Sequence, residues 1–300
     1  MSTSVSTAFV QTYQQEVKML YQRQGSILRP TVRVKDGIVG STTTFQKIGK
    51  GVATVKARAG VITPMNQDHT AIPCTLADFY AGDWVDKLDE AKTNIDERMA
   101  IAQGGAWALG RKTDDQIITA LGTTTQTASN WTVTSQAAIR NSAINMVQAL
   151  FANDVPNDGQ IFAALSSKAW AFLMTVDEFK RSDYLGTQSN GLPYVEGAPV
   201  MRFKNWMGVN WGLHTGVAGA GTATCTLLMW HKQSIGYATG AFAGNIAATD
   251  GGSAVSADIT WHGDRASYFV NNMMSGGACL IDDTGVIKGT VDDTASLPTS

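Results

Sequence analysis

Four histidines, His69, His214, His231 and His262, set the limits of any imidazole chemistry in this 300-residue chain. A zinc-hydrolase site needs two imidazoles one helical turn apart, in HxxxH or HExxH spacing, and none of the four is so paired. His69 follows a proline loop, His214 and His231 lie in tryptophan-rich apolar sequence, and His262 follows Trp261, so each reads as a structural or surface histidine. Adjacent acids occur at Asp114-Asp115, Asp177-Glu178, Asp282-Asp283 and Asp292-Asp293. Two carboxylates flanking a bond could act as general acid and base, but these pairs fall near helix ends, in a turn and in a tail, where caps and solvated faces explain them. The GxSxG elbow, the GxxxxGK[ST] phosphate loop and a GxGxxG after a strand are all absent, and Gly216, Gly219 and Gly221 miss the last spacing. Asn130-Trp131-Thr132 matches a glycosylation sequon, with nothing else to indicate secretion.

The cysteines Cys74, Cys225 and Cys279 are odd in number and far apart in sequence, each in an apolar or threonine-rich setting. They read as buried thiols packed as small hydrophobes, with neither a metal nor a disulfide expected. No cofactor or metal is therefore expected.

The informative features are structural elements. Residues 41–67, STTTFQKIGKGVATVKARAGVITPMNQ, form a basic ribbon of β-pattern sequence with Phe45, Ile48, Val52, Val55 and Val61 set among Thr, Gly, Lys and Arg. The pattern predicts a projecting two-stranded loop. A hairpin of this kind is marginal in water unless something covers it, and the cheapest cover is a neighbouring copy of the chain. Phe45, Lys47, Ile48, Lys50, Val52, Val55, Lys56 and Arg58 are the expected interface residues.

Next comes a predicted long amphipathic helix starting near Asp83, WVDKLDEAKTNIDERMAIAQGGAWALG, with Trp84, Leu88, Ile95, Met99, Ala106 and Leu109 recurring at three- and four-residue steps. Asp86, Glu90 and Glu97 mark its acidic face. A turn signal at Gly110 to Asp114 is expected to end or bend it. A helix of about 25 residues spans close to 40 Å and suits a strut.

Composition fits a folded chain: 44% hydrophobic and 16% charged residues. No apolar run approaches the roughly 20 residues needed to cross a bilayer, and the N-terminus lacks signal-peptide order, so cytosolic synthesis without a membrane is expected. Charge is unevenly placed, with nine bases against two acids in residues 1–60 and 14 bases against 23 acids in the rest. That asymmetry suits nucleic-acid contact, or a basic arm and loop lying across the acidic body of the next subunit. The latter fits better, because the bases lack the aromatic interleaving of a stacking groove.

Beyond a threonine-rich connection at 122–134, the pattern predicts a helix capped by Ser135 and ending before Pro156, a short strand in QIFAALSS, a helix from Ser166 or Ser167, and strands in PVMRFKNWMGVNWGLH and TCTLLMWHK. The closing stretch from Ala257 alternates through two or three strands and is expected to pack back on the long helix.

The order of a polar arm, a basic β-loop, WVDKLDEAKTNIDERMAIAQGGAWALGRKTDDQII, ALSSKAWAFLMTVDEFKRSDYLG and DRASYFVNNMMSGGACLIDDTGVIKG resembles the major capsid proteins of tailed double-stranded DNA bacteriophages, of the Hong Kong 97 type of α+β fold. The resemblance implies an N-terminal arm over 1–35, an extended loop over 36–75, a peripheral domain with its spine helix over 76–122, an axial domain over 123–245, and peripheral closing strands with a tail over 246–300. It further implies hexamers and pentamers of the chain enclosing double-stranded DNA in the virion capsid, assembled in the bacterial host cytoplasm with a scaffolding protein and a portal, and leaves open whether a decoration protein binds. Catalysis is not expected. Some capsids of this fold join a loop lysine to a neighbour's asparagine, and Lys47, Lys50, Lys56, Asn271 and Asn272 occupy similar places; here the lysines read as keeping an exposed ribbon soluble. The other classes left open are a nucleic-acid-binding protein using the first 60 residues and a hydrolase of α+β fold.

Overall fold

The computed structural model describes residues 23, 25–88, 97–180, 203–241 and 256–298. In chain order it contains β1 (Arg33–Ile38), β2 (Thr42–Ile48), β3 (His69–Thr75), β4 (Ala77–Asp86), α1 (Glu97–Gly122), α2 (Gln136–Phe151), β5 (Ile161–Leu165), α3 (Ser167–Thr175) and α4 (Asp177–Lys180). Then follow β6 (Phe203–Trp206), β7 (Val209–Leu213), β8 (Cys225–His231), β9 (Ile235–Gly240), β10 (Ser256–His262), β11 (Ser267–Leu280) and β12 (Val286–Val291).

β11 is the axis of the first sheet. Its first half is flanked by antiparallel β10 and β4 at once, its last residues pair with β9, and β9 carries β1 in parallel. The second sheet runs β12-β8-β5-β7-β6, and β5, with every residue buried, sits at its centre. β2 and β3 form a separate hairpin.

α1 bridges the two sheets. Its N-terminal half packs Leu109 and Ala106 on Met274, Phe79 and Ala81 of the first sheet, and its C-terminal half sends Ile117, Ile118 and Leu121 into the large core shared with α2, α3 and the second sheet. The approach to the first sheet is close enough to require glycine: a Cβ on Gly105 would strike the Asn272 amide. The helix caps behave as expected, with Ser135 Oγ accepting from Ala138 N at 3.2 Å and Ser166 Oγ from Ala169 N at 3.0 Å.

Several expectations are corrected. The segment from Asp83 is not helical: Trp84 and Asp86 lie in β4, whose register with β11 extends from Ala77↔Gly276 to Asp86↔Ser267. Leu88 stands in a helical turn just after β4 and is largely exposed. Glu97 opens α1, while Glu90 and Ile95 lie outside the described residues. Gly110 to Asp114 do not end the helix, which continues to Gly122. Gly110 is instead the point where residues 25 and 26 cross the helix, since a Cβ there would collide with the Gly25 backbone. The sheets also exchange strands across the expected limits: β9 joins the first sheet and β12 the second.

Candidate assembly interface

The hairpin has a buried base and an open tip. Thr42 pairs with Thr75 and Ile48 with His69, after which residues 49–68 leave the ladder, so Val52, Val55 and Val61 are not in strands as their composition suggested. At the base, Phe45 is buried over Gly236 of β9, with the Arg33 guanidinium 5.7 Å from its ring centre. Phe45 thus anchors the loop to its own chain instead of presenting itself to a neighbour. At the tip, Val52 is 75%, Val55 103%, Val61 93% and Ile62 70% exposed. Four β-branched side chains left this open to water are uncommon on a monomer surface.

The loop bases divide in the same way. Lys47 Nζ lies 2.7 Å from Asp282 and Lys50 Nζ 2.7 Å from Asp154, so both are committed within the chain. Lys50 holds the Asp154 carboxyl below its ordinary value. Burial works to raise Asp282, but hydrogen bonds from Lys47 and Thr284 outweigh it and the carboxyl is lowered. Lys56 and Arg58, at the tip, are exposed and have no ion pair among the described residues. Ile48 is half exposed where the ladder ends.

Where the chain enters the fold, a buried cluster fixes it to α1. Asp114, fully buried, accepts from Ser26 Oγ at 2.6 Å, Ile27 N at 3.1 Å and Leu28 N at 3.0 Å. His214 Nδ1 accepts from Gly216 N, so its ring proton sits at Nε2, 3.1 Å from Asp114. Arg23 Nη1 stands 2.9 Å from the same nitrogen, and its Nε lies 3.6 Å from the Asp114 carboxylate as an ion pair without a hydrogen bond.

A serine, an aspartate and a histidine therefore meet, in the wrong order for hydrolysis. In a catalytic triad the imidazole stands between hydroxyl and carboxylate, whereas here Ser26 and His214 both bind Asp114 and the hydroxyl has no base to activate it. His231 repeats the pattern, accepting from Gln233 N at Nδ1 and facing Asp158 at 3.2 Å. Both are clamps at strand ends. An open cleft of about 280 Å³ between α1 and β12, lined by Ile118, Thr127, Leu228 and Lys288 among others, holds no acid and base pair. Among the described residues no group of three or more His, Cys, Asp or Glu is placed to hold a metal, and no helix is long and apolar enough to cross a membrane.

A sequence profile described as "Phage capsid protein" matches residues 5–293. The chain belongs to this phage capsid family. Its architecture is shared with solved capsid chains at low identity. The capsid of Ralstonia phage GP4 aligns with TM-score 0.69 and 11% identity over 100% of both chains. A chain from Mycobacterium phage Che8 aligns with TM-score 0.68 and 14% identity over 96% of this chain and 98% of that one. The capsid of a native GTA particle gives 0.66 and 12% over 96% and 97%. No curated protein sequence matches significantly. The fold is of the Hong Kong 97 type, and this capsid protein is a structural subunit of the phage head.

The Asp114 cluster is not visible in the sequence, where Asp114 reads as half of an acidic pair and His214 as a lone histidine. Their meeting depends on a crossing between segments about 90 and 190 residues apart, for which local pattern carries no signal.

Proposed function

We propose that this capsid protein closes the phage head by lending its loop tip, residues 49–68, to a neighbouring copy, with α1 as the strut that holds the loop's root at a fixed place. The observation that carries the reading is the contrast between a hairpin base anchored by buried Phe45 and a tip that leaves Val52, Val55, Val61 and Ile62 in water. The tip contributes apolar burial at roughly 25 cal/mol per Å² of covered surface, while Lys56 and Arg58 set register against an acidic neighbour. Copies arranged as hexamers and pentamers satisfy these contacts in a closed shell, and heterologous contacts of this sort need rotation that closes.

The domain limits belong to the same reading. A peripheral part is built on the first sheet and α1, an axial part on the second sheet with α2 and α3, and residues 1–35 serve as the N-terminal arm, those before Arg23 lying outside the described residues. A scaffolding protein, a portal and a decoration protein act as partners, double-stranded DNA is the content, and assembly proceeds in the host cytoplasm. The subunit works without catalysis, which accords with the inverted wiring around Asp114.

Deleting residues 51–66 and joining Lys50 to Gln67 tests the reading, because β2, β3 and their anchors stay in place. The shortened chain is expected to remain soluble and folded but to yield no closed particles by electron microscopy. Normal shells from the shortened chain would overturn it.

A further inference from the structure

The root of the hairpin holds two sulfurs that the sequence keeps far apart. β3 crosses β11 so tightly that a side chain at Gly277 would collide with the Thr75 carbonyl oxygen. Cys74 immediately precedes Thr75, and Cys279 stands two residues beyond Gly277, on the face of β11 that meets β3 because alternate strand residues share a face. Both cysteines pack in one small apolar cluster with Phe45, Leu76, Ala238 and Ile281. The two side chains meet there, Cys74 inside the cluster and Cys279 packed against it. Both are free thiols, Cys74 buried and Cys279 partly exposed, so one of the pair is reachable from solvent and the other is shielded behind it.

We propose that Cys74 and Cys279 form a latent dithiol site that takes up an intrachain disulfide from a small-molecule disulfide and so bolts the root of the projecting loop to β11. The partly exposed Cys279 attacks the oxidant's S–S bond, its proton passing to the leaving sulfur, so that a mixed disulfide forms and one small thiol is released. Cys74, as thiolate, then attacks the Cys279 sulfur, and the second small thiol leaves. Two protein thiols lose two protons and two electrons, and the oxidant's disulfide is reduced to two thiols. A hydrogen bond between the two side chains holds the Cys74 thiol below its ordinary value and is the chief reason that Cys279 lies well above its own, as expected when one proton serves two adjacent sulfurs.

The position gives the bond its consequence. The loop root would be tied covalently to the strand that organises the first sheet, between segments distant in the chain, which restricts the unfolded chain strongly. Cys225 is the internal control. It is buried beside Ser166 and Asp293, burial pushes its thiol up to about 11, and no other cysteine shares its cluster among the described residues.

The test uses the full-length protein incubated with oxidised glutathione, quenched with N-ethylmaleimide and digested for mass spectrometry. A Cys74–Cys279 linked peptide is expected, from chains that run as monomers on a non-reducing gel, with Cys225 alkylated only after unfolding. The melting temperature should rise by about 5 °C and return on adding dithiothreitol. In Cys74→Ser the reaction should stop at a glutathione adduct on Cys279. Should that variant fail to fold, the linked peptide in the unaltered chain still decides the matter. A stable glutathione adduct on Cys279 of the unaltered chain, linkage only between chains, or no linkage at all would overturn the proposal.

Discussion

Asp114 concentrates the buried electrostatics of this capsid protein. Its carboxylate receives two backbone N–H groups, a serine hydroxyl and an imidazole N–H, and pairs with the Arg23 guanidinium at 3.6 Å. Removing the charge while keeping the shape should leave those donors poorly satisfied, so Asp114→Asn is expected to cost about 2–4 kcal/mol. Urea denaturation measures this, with Asp115→Asn as an exposed control expected to stay within about 0.5 kcal/mol. The sequence showed Asp114 as half of an acidic pair beside a supposed helix end. Gly110, Thr113 and Asp114 read as a turn because their local preferences are those of a turn, and only the chain crossing at residues 25–28 makes them good helix residues here. Ser135 and Ser166, by contrast, were legible as caps, because a cap is decided by its next three residues.

Among the elements, the hairpin shows how charge and apolar contact divide their roles. Lys47–Asp282 and Lys50–Asp154 hold the loop root against the body, and both carboxyls are lowered from 3.8. Depressed carboxylates contribute stability that is complete above that ordinary value and is lost as the pH falls through their lower folded values. The melting temperature of the intact chain should therefore drop more between about pH 5 and about pH 2.5 than that of Asp282→Asn, which has already given up the titrating contact. An equal drop in both proteins would remove the role assigned to this pair. Of the hairpin only β2 was legible, in the β-branched start of the ribbon; β3 lies beyond it at His69–Thr75, and β4 went unread. Ala77–Asp86 is rich in Ala, Asp and Gly, poor strand formers, and it is a strand because β11, nearly two hundred residues away, supplies its ladder.

At the scale of the whole molecule, α1 of the capsid protein bridges two sheets that each draw strands from separate parts of the described chain. The order of elements was legible because a long helix, a basic ribbon and closing strands each carry their own periodicity. The exchange of β9 and β12 between sheets was not, since strand partners are chosen by three-dimensional packing. Substituting Val55→Asp together with Val61→Asp should change the melting temperature of the isolated subunit little, both residues being exposed, yet abolish particle formation in sedimentation. Lys56→Glu with Arg58→Glu should instead leave assembly possible but make it markedly more sensitive to salt, because exposed charges steer and register more than they bind. The most direct test is a single-particle reconstruction of heads assembled from the full chain. Val52, Val55, Val61 and Ile62 should lie buried against an adjacent copy, and a closed shell in which those side chains remain in solvent or fold back on their own chain would refute loop exchange.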